Sequence, residues 1–405
     1  MGAQLSAPID CISVDRRACR HGVFSAAETQ GIRMSHEDSH IVPTEIEVKI
    51  GGAKTTGTLI GVFDGHGSDT VSGHAVTVIP KHCRQVFGKE GINWAKVYLA
   101  ADSEVRRQLS DSDPGGSTAV TAIVTSTGDG KFKISVANLG DSRALLIRPN
   151  SFEATVDHKP DDPEESERIK AAGGTVETLG GGPARLDGNL ALSRALGDFT
   201  YKQDTNLPPE KQKCSIEPTV YDWVGQKGDV LFLACDGIYD VMSNDEVADF
   251  VRKMISSAED LDSAAVTAGI LQHALDKGTT DNLSSMLCIL GEPYEVPEPH
   301  LERELRPGKF NGMSDKTLAD AYIAFIKRVG FGALVSRDAQ GHPFLQCCGL
   351  CQRTFQHLHQ CPPPCGEYYC TKNCQKIAWK KGHKESCINK TGAAGGKAKK
   401  KAAKK

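Results

Sequence analysis

The 405-residue chain has no apolar run approaching the ~20 residues needed to cross a bilayer, and no secretory leader is visible. These absences predict a protein made and kept in the cytoplasm. An excess of one charge is also lacking. Basic side chains number 48 against 51 acidic ones, a formal net charge of -3, which by itself says little about partners; no specific nucleic-acid partner is expected. The one asymmetry is a lysine-rich tail over 389–405, six of whose last nine residues are Lys. It reads as a solvated tail, with acidic lipid, nucleic acid or a nuclear import receptor as its alternative partners. With 39% hydrophobic residues the chain can bury a full core, and its length suggests two or more domains.

Cysteines number 14, and eight of them crowd between Cys347 and Cys387. In a cytoplasmic chain such crowding argues for metal ligation rather than disulfides. Cys235 and Cys288 lie in apolar runs and read as ordinary buried thiols. At the other end, Met1-Gly2-Ala3-Gln4-Leu5-Ser6 fits the N-myristoylation pattern, with Gly2 as the acceptor. One acyl chain holds a membrane only marginally, so a second signal is required. Cys11 and Cys19 as palmitoylation sites, and Arg16, Arg17 and Arg20 against anionic lipid, would supply it. Residues 1–21 are therefore expected to be a leader making peripheral membrane contact.

The chemistry-bearing pattern is a buried strand that stops at an acid. Thr58-Leu59-Ile60-Gly61-Val62-Phe63 runs into Asp64-Gly65-His66-Gly67, and Val230-Leu231-Phe232-Leu233-Ala234 runs into Cys235-Asp236-Gly237. Other acids stand at comparable places. Arg33 is followed by Glu37 and Asp38 in a segment expected to be extended. Asp141 sits between the strands Lys131–Ala137 and Ala144–Ile147, in what reads as a hairpin turn, and Asp281-Asn282 precedes the strand 284–290. Carboxylates recurring at strand ends suggest one oxygen-rich cation site of the kind hard divalent ions prefer. Helices are expected over 69–86 and 93–109, after the cap Asp162, and after the Ser243/Glu246 capping box. A further helix capped by Ser314 carries the stripe Leu318, Tyr322, Phe325 and Ile326.

Taken in order, Arg33…Glu37-Asp38, Asp64-Gly65-His66-Gly67, Gly116-Ser117-Thr118-Ala119, Gly140-Asp141-Ser142-Arg143, Asp157-His158-Lys159-Pro160, Ser193-Arg194-Ala195-Leu196-Gly197-Asp198, Asp236-Gly237 and Asp281-Asn282 resemble the metal-dependent serine/threonine protein phosphatases, the type 2C family, across 22–292. The resemblance implies an α+β fold, an αββα sandwich of two antiparallel sheets flanked by helices. It implies hydrolysis of phosphoserine and phosphothreonine in phosphoprotein substrates by a metal-activated water. Two Mg²⁺ or Mn²⁺ ions would be held by Asp64, Asp236, Asp281 and the Gly65 carbonyl, with Glu37 and Asp38 acting through water and Asp141 serving a third ion. Arg33 would bind the phosphate and His66 would protonate the leaving oxygen. Ser68, Tyr239 and Thr280 depart from the common family residues, yet no ligand is lost. The stretch 161–182 resembles the family's flap.

Prolines mark 293–345 as a linker. Cys348-x2-Cys351, Cys361-x3-Cys365, Cys370-x3-Cys374 and His383-x3-Cys387 follow over 346–388, eight soft ligands for two structural Zn²⁺. With Tyr369, Gln375 and Trp379 they resemble a MYND zinc finger, a small zinc-stabilised domain. The pairing this implies gives Cys348, Cys351, Cys370 and Cys374 one ion, and Cys361, Cys365, His383 and Cys387 the other. Cys347 is a competitor for Cys348, and the second pair is one residue wider than usual. Such fingers dock short proline-containing peptides, so recruitment of substrates or regulators is expected. A rival reading, a scaffold acting through the finger with a vestigial phosphatase fold, is opposed by the intact metal and phosphate residues.

Overall fold

The computed structural model describes residues 4–50, 53–88, 91–110, 113–257, 262–291, 302–361, 365–384 and 387. The chain divides into two compact units. One takes Met1–Pro8 and Asp15–Val296; the other takes Ile9–Val14 and Pro297–Lys405.

Two antiparallel sheets form the first unit. One runs in the order Thr219–Gln226, Lys131–Leu139, Ala119–Ser126, Ala53–Phe63, Ser39–Ile50. The other carries Phe152–Ala154, Arg143–Ile147, Val230–Ala234, Leu283–Leu290 and Gly22–Thr29 in that order. Side chains alternate along each strand, and here both faces are covered. Ile60, Val62, Val120 and Val124 meet Phe24, Leu231, Leu233 and Met286 between the sheets. Leu59, Phe63 and Ile123 point the other way, onto Val71, Ile79, Val97 and Tyr98 of the helices Thr70–Val86 and Trp94–Gln108. Burial on both faces explains why the strands read as continuous apolar runs. At ~1.5–3 kcal/mol for each large side chain buried, this packing makes the sheet ends a rigid mount. Helix Ser263–Asp276 packs on the outer face of the second sheet. The α+β sandwich is thus as expected.

Local signals held where they were chemical. Asn93 caps its helix through a bond from the Lys96 N–H at 3.0 Å, and Ser243 and Glu246 form a reciprocal capping box. Several expectations need correction. Lys131–Leu139 and Arg143–Ile147 do not make a hairpin. They belong to different sheets, so Asp141 lies on a crossover between the two layers. The strand before Glu37 ends at Arg33 and the chain then bends, because Asn282 captures its backbone: the amide of Asn282 donates to the carbonyls of Gln30 (2.8 Å) and Ser35 (2.9 Å). The linker helix is capped by Asp315, whose Oδ1 accepts the Leu318 N–H at 3.1 Å, rather than by Ser314.

The stretch expected to be a leader is strand from Gln4 onward, as Gln4–Ile9 and Ile12–Cys19. Cys11 is fully buried, which removes it as an acylation site, and Arg16 is buried in a two-bond fork on Asp262 at 2.9 Å rather than facing lipid. Gly2 and the lysine tail lie outside the described residues.

In the second unit Arg303–Arg306 pairs with Thr354–Phe355, helix Lys316–Arg328 buries Leu318, Tyr322, Phe325 and Ile326, and the cysteine region folds around Phe355 and Tyr369. The early segment is anchored there by Asp10. Its Oδ1 accepts bonds from the Tyr322 hydroxyl at 2.6 Å and the Lys309 N–H at 2.9 Å. Replacing Asp10 by Ala removes the acceptor of the buried Tyr322 O–H while leaving the bond that this hydroxyl accepts from the residue-10 N–H at 3.2 Å, at a cost of about 1–3 kcal/mol. Hydrogen exchange of helix Lys316–Arg328 in the full chain is expected to accelerate roughly tenfold or more; unchanged protection would refute the anchor.

Candidate active site

Asp64 and Asp236 stand at the ends of strands in the two facing sheets, so the sandwich brings together residues 172 positions apart in sequence. Each is followed by a glycine that the packing requires. A Cβ on Gly65 would fall well inside contact with the Glu37 carbonyl, and one on Gly237 likewise with the Asn282 carbonyl. The backbone at Asp64 is clamped by Thr118: the Thr118 N–H donates to the Asp64 carbonyl at 2.9 Å, and the Asp64 N–H donates to Thr118 Oγ1 at 3.1 Å. Thr118 Oγ1 in turn lies 2.6 Å from Ser142 Oγ, tying the clamp to the crossover that bears Asp141.

A cavity of about 470 Å³ opens at these strand ends, and Arg33, Glu37, Asp64, Gly65, His66, Asp141, Asp236 and Asp281 all line it. Asp38 does not line it. It is buried beneath, 1% exposed, with its pKa raised by burial. The Glu37 N–H is held by Asn282 Oδ1 at 2.9 Å, which registers the Arg33 loop against Asp281. Arg33 donates from Nε to the Thr280 carbonyl at 3.0 Å and pairs with Asp281. Because Thr280 contributes only its carbonyl there, threonine in place of serine costs that contact nothing. The other departures are accommodated too. Ser68 Oγ donates to Asp113 at 3.2 Å, and the Tyr239 ring lies under the Arg143 guanidinium at 4.3 Å, while Arg143 forks onto Asp157 with two bonds of 2.9 Å.

Electrostatics is the feature that decides what the site holds. Burial pushes Asp64 well above the usual carboxylate range, and Asp38, Asp236, Asp281 and Asp141 push it further. Asp236 is raised in the same way, by burial and then by Asp141 and Asp281. One internal cation already answers part of this charge, since Lys159 pairs with Asp141. A donor set made only of oxygen, whose members oppose one another's ionisation, fits hard divalent cations, which relieve that opposition. Asp240 joins the group: carboxylate oxygens of Asp236, Asp240 and Asp281 lie within 4.8 Å of one another. Asp240 carried no role in the sequence reading, although its spacing of four from Asp236 across the short helix Asp236–Tyr239 is the available signal.

His66 faces a partner that had also been given no role. A three-stranded ribbon of Gly65–His66, Gly116–Ser117 and Leu196–Gly197 sets His66 Nε2 2.8 Å from Asp198 Oδ2. Burial pulls the imidazole pKa down, but the Asp198 carboxylate outweighs it and leaves it raised. The stretch 161–182 that resembles a flap carries helix Pro163–Ala171 and strand Val176–Thr178, which pairs with Ala184–Leu186 just beyond it, whose Arg185 lines the cavity.

In the second unit the soft ligands gather in two groups. Sulfur atoms of Cys348, Cys351, Cys370 and Cys374 lie within 4.8 Å of one another, and so do the ligand atoms of Cys361, Cys365, His383 and Cys387. Cys347 stands apart, with Sγ 3.2 Å from Thr354 Oγ1.

The chain was compared with known proteins. The model of the family described as Protein phosphatase 2C matches residues 23–283. "Probable protein phosphatase 1N" of Mus musculus is 33% identical over 362 residues, covering 85% of this chain and 85% of that protein. "Protein phosphatase 2C homolog 2" of Schizosaccharomyces pombe is 36% identical over 310 residues, covering 72% and 76%. Among solved structures, a phosphatase from Toxoplasma gondii superposes with a TM-score of 0.62 at 27% identity, covering 71% of this chain and 98% of that one. Facing carboxylates at the ends of two antiparallel sheets, and this likeness over most of the length, establish that the chain belongs to the protein phosphatase 2C family, the metal-dependent protein serine/threonine phosphatases.

Proposed function

We propose that within this family activity Arg33 binds the substrate phosphate, His66 protonates the departing serine or threonine oxygen, and Asp64, Asp236, Asp281 and the Gly65 carbonyl hold two Mg²⁺ or Mn²⁺ ions. Glu37 and Asp38 act through water, and Asp141, with Asp236 and Asp240, takes a third ion. The observation that carries the assignment is that a guanidinium, an imidazole and mutually opposed carboxylates converge on one cavity. Bound there, the cations would supply an activated water and offset charge on the reacting phosphate. The protein's own groups do the rest. Arg33, pinned by Thr280 and Asp281, keeps Nη1 N–H groups for phosphate oxygens, and a planar fork suits that task better than an ammonium. His66 is positioned to deliver a proton at the cavity wall.

We also propose that 346–388, within the second unit, is a MYND-type finger with two structural zinc ions, which recruits substrates or regulators by docking short proline-containing peptides. Its support is the two four-ligand groups, each complete without an open position. Myristate on Gly2 is proposed on the Met1–Ser6 pattern, with cytoplasmic protein drawn to membranes as the consequence.

Turnover of a phosphothreonine peptide with Mn²⁺ should fall about a hundredfold or more in Asp236→Asn, because one ligand of the charge-neutralising ions is weakened. Equal rates would end the assignment. Arg33→Lys should raise KM for the peptide roughly tenfold, since the bidentate fork is lost. Elemental analysis of the purified chain should give two zinc ions. Cys348→Ser and Cys370→Ser should each lower that to one, and the pair together should still leave one; independent losses would break the proposed grouping.

A further inference from the structure

Asp198 has features that a surface ion pair does not need. Its side chain is buried, 3% exposed, while its partner His66 lines the cavity. Its backbone is left-handed, φ 50°, a conformation uncommon outside glycine that Asp and Asn adopt more readily than other residues. The contacts that hold it can be traced. The Asp198 N–H donates to the Gly115 carbonyl at 3.0 Å, and the Asp198 carbonyl accepts the Tyr201 N–H at 3.0 Å. One residue earlier, the Gly197 N–H donates to Asp102 Oδ1 at 2.8 Å, and Asp102 is itself buried against Lys202 Nζ at 3.1 Å. Helix Trp94–Gln108, from which Asp102 projects, is seated on the core of the first sheet. The central strand of the ribbon adds a steric condition: a Cβ on Gly116 would fall inside contact with both Asp198 Oδ2 and His66 Nε2. Gly116 thus leaves room for the pair and for nothing else.

A carboxylate oxygen accepts and cannot donate, so the 2.8 Å contact commits the Nε2 proton of His66 to Asp198. We propose that Asp198 is the positioning residue of His66, fixing the plane of the ring and its Nε2–H so that Nδ1–H is the donor to the departing serine or threonine oxygen. The inference deepens the role given to His66 above and rests on it. As the P–O bond breaks, its electron pair stays on the side-chain oxygen, which takes the Nδ1 proton. The neutral imidazole keeps Nε2–H on Asp198. Water supplies the hydroxyl that phosphorus gains and the proton that restores Nδ1.

The leaving group separates positioning from a purely structural ion pair. An alkoxide needs the proton, whereas p-nitrophenolate departs as a stabilised anion. Asp198→Asn keeps the shape and tolerates left-handed backbone. With saturating Mn²⁺ it should lose about a hundredfold in kcat on a phosphothreonine peptide, within the range of general-acid catalysis. The loss on p-nitrophenyl phosphate should be at least roughly tenfold smaller, and KM for the peptide nearly constant. The double variant His66→Ala/Asp198→Asn should be no slower on the peptide than His66→Ala alone, because residues acting as a unit do not add. Gly116→Ala, which wedges the pair apart while keeping both side chains, should reproduce the selective loss and covers the case in which Asp198→Asn folds poorly. An active wild type whose Asp198→Asn and Gly116→Ala variants lose both substrates equally, or whose double variant shows multiplied losses, overturns this inference alone. A wild type inert to both substrates overturns the phosphatase reading, and this inference with it.

Discussion

The constraint on which this molecule turns is repulsion among carboxylates. Asp38, Asp64, Asp141, Asp236 and Asp281 are drawn to one place by the ends of two sheets, and each makes it harder for its neighbours to ionise. Isolated loops would relax such a cluster by moving apart. Here Asp64 and Asp236 stand just past strands whose opposite faces are both buried, so separating them would have to break the packing of Ile60, Val62, Leu231 and Leu233. The fold therefore holds the carboxylates in place and leaves bound cations, or protons in their stead, as the means of relief. Lys159 on Asp141 and Arg33 on Asp281 are partial answers built into the chain.

Around that cluster the remaining polar groups work as spacers and registers. Asn282 holds three backbone groups of the segment 30–37 and so sets Arg33 against Asp281. His158, which burial lowers to a pKa of about 4, accepts the Gly140 N–H at 3.2 Å and steadies the crossover carrying Asp141. Arg194 plays a similar part with Glu165, bonding it at 2.6 Å, and keeps the chain before Asp198 against helix Pro163–Ala171. None of these needs to touch substrate, yet each fixes the angle from which a reacting group is offered.

Much of the site was legible in the sequence because its grammar is local. An apolar run that stops at Asp-Gly marks a strand end wherever it occurs, and Asp64 and Asp236 follow that rule. What could not be read was partnership. The turn Asn138–Arg143 has hairpin composition, but whether the next strand returns beside its predecessor depends on a sheet built from distant residues, and here it crosses to the other layer. Asp198 was visible as a motif residue, but its use depends on a ribbon joining residues 65, 116 and 197. Asp240 was passed over because a four-residue helix leaves almost no periodicity to detect. Residues 1–21 resembled a leader because nothing nearby in sequence reveals the Tyr322 hydroxyl that donates to Asp10.

That last pairing has a consequence in time. Asp10 leaves the ribosome about 290 residues before Arg303, an interval of roughly 15–60 s at ordinary rates of synthesis. During that interval Asp10 has neither the Tyr322 hydroxyl nor the Lys309 N–H, while Ile12–Cys19 can already pair with Gly22–Thr29 in the growing sheet. The second unit is therefore the late-closing part of the molecule. Its completion waits on a contact between residues 312 apart, the kind of non-local contact that slows folding. Cleavage between Val14 and Asp15 in the finished protein would remove a piece of the C-terminal unit while cutting the chain near its beginning.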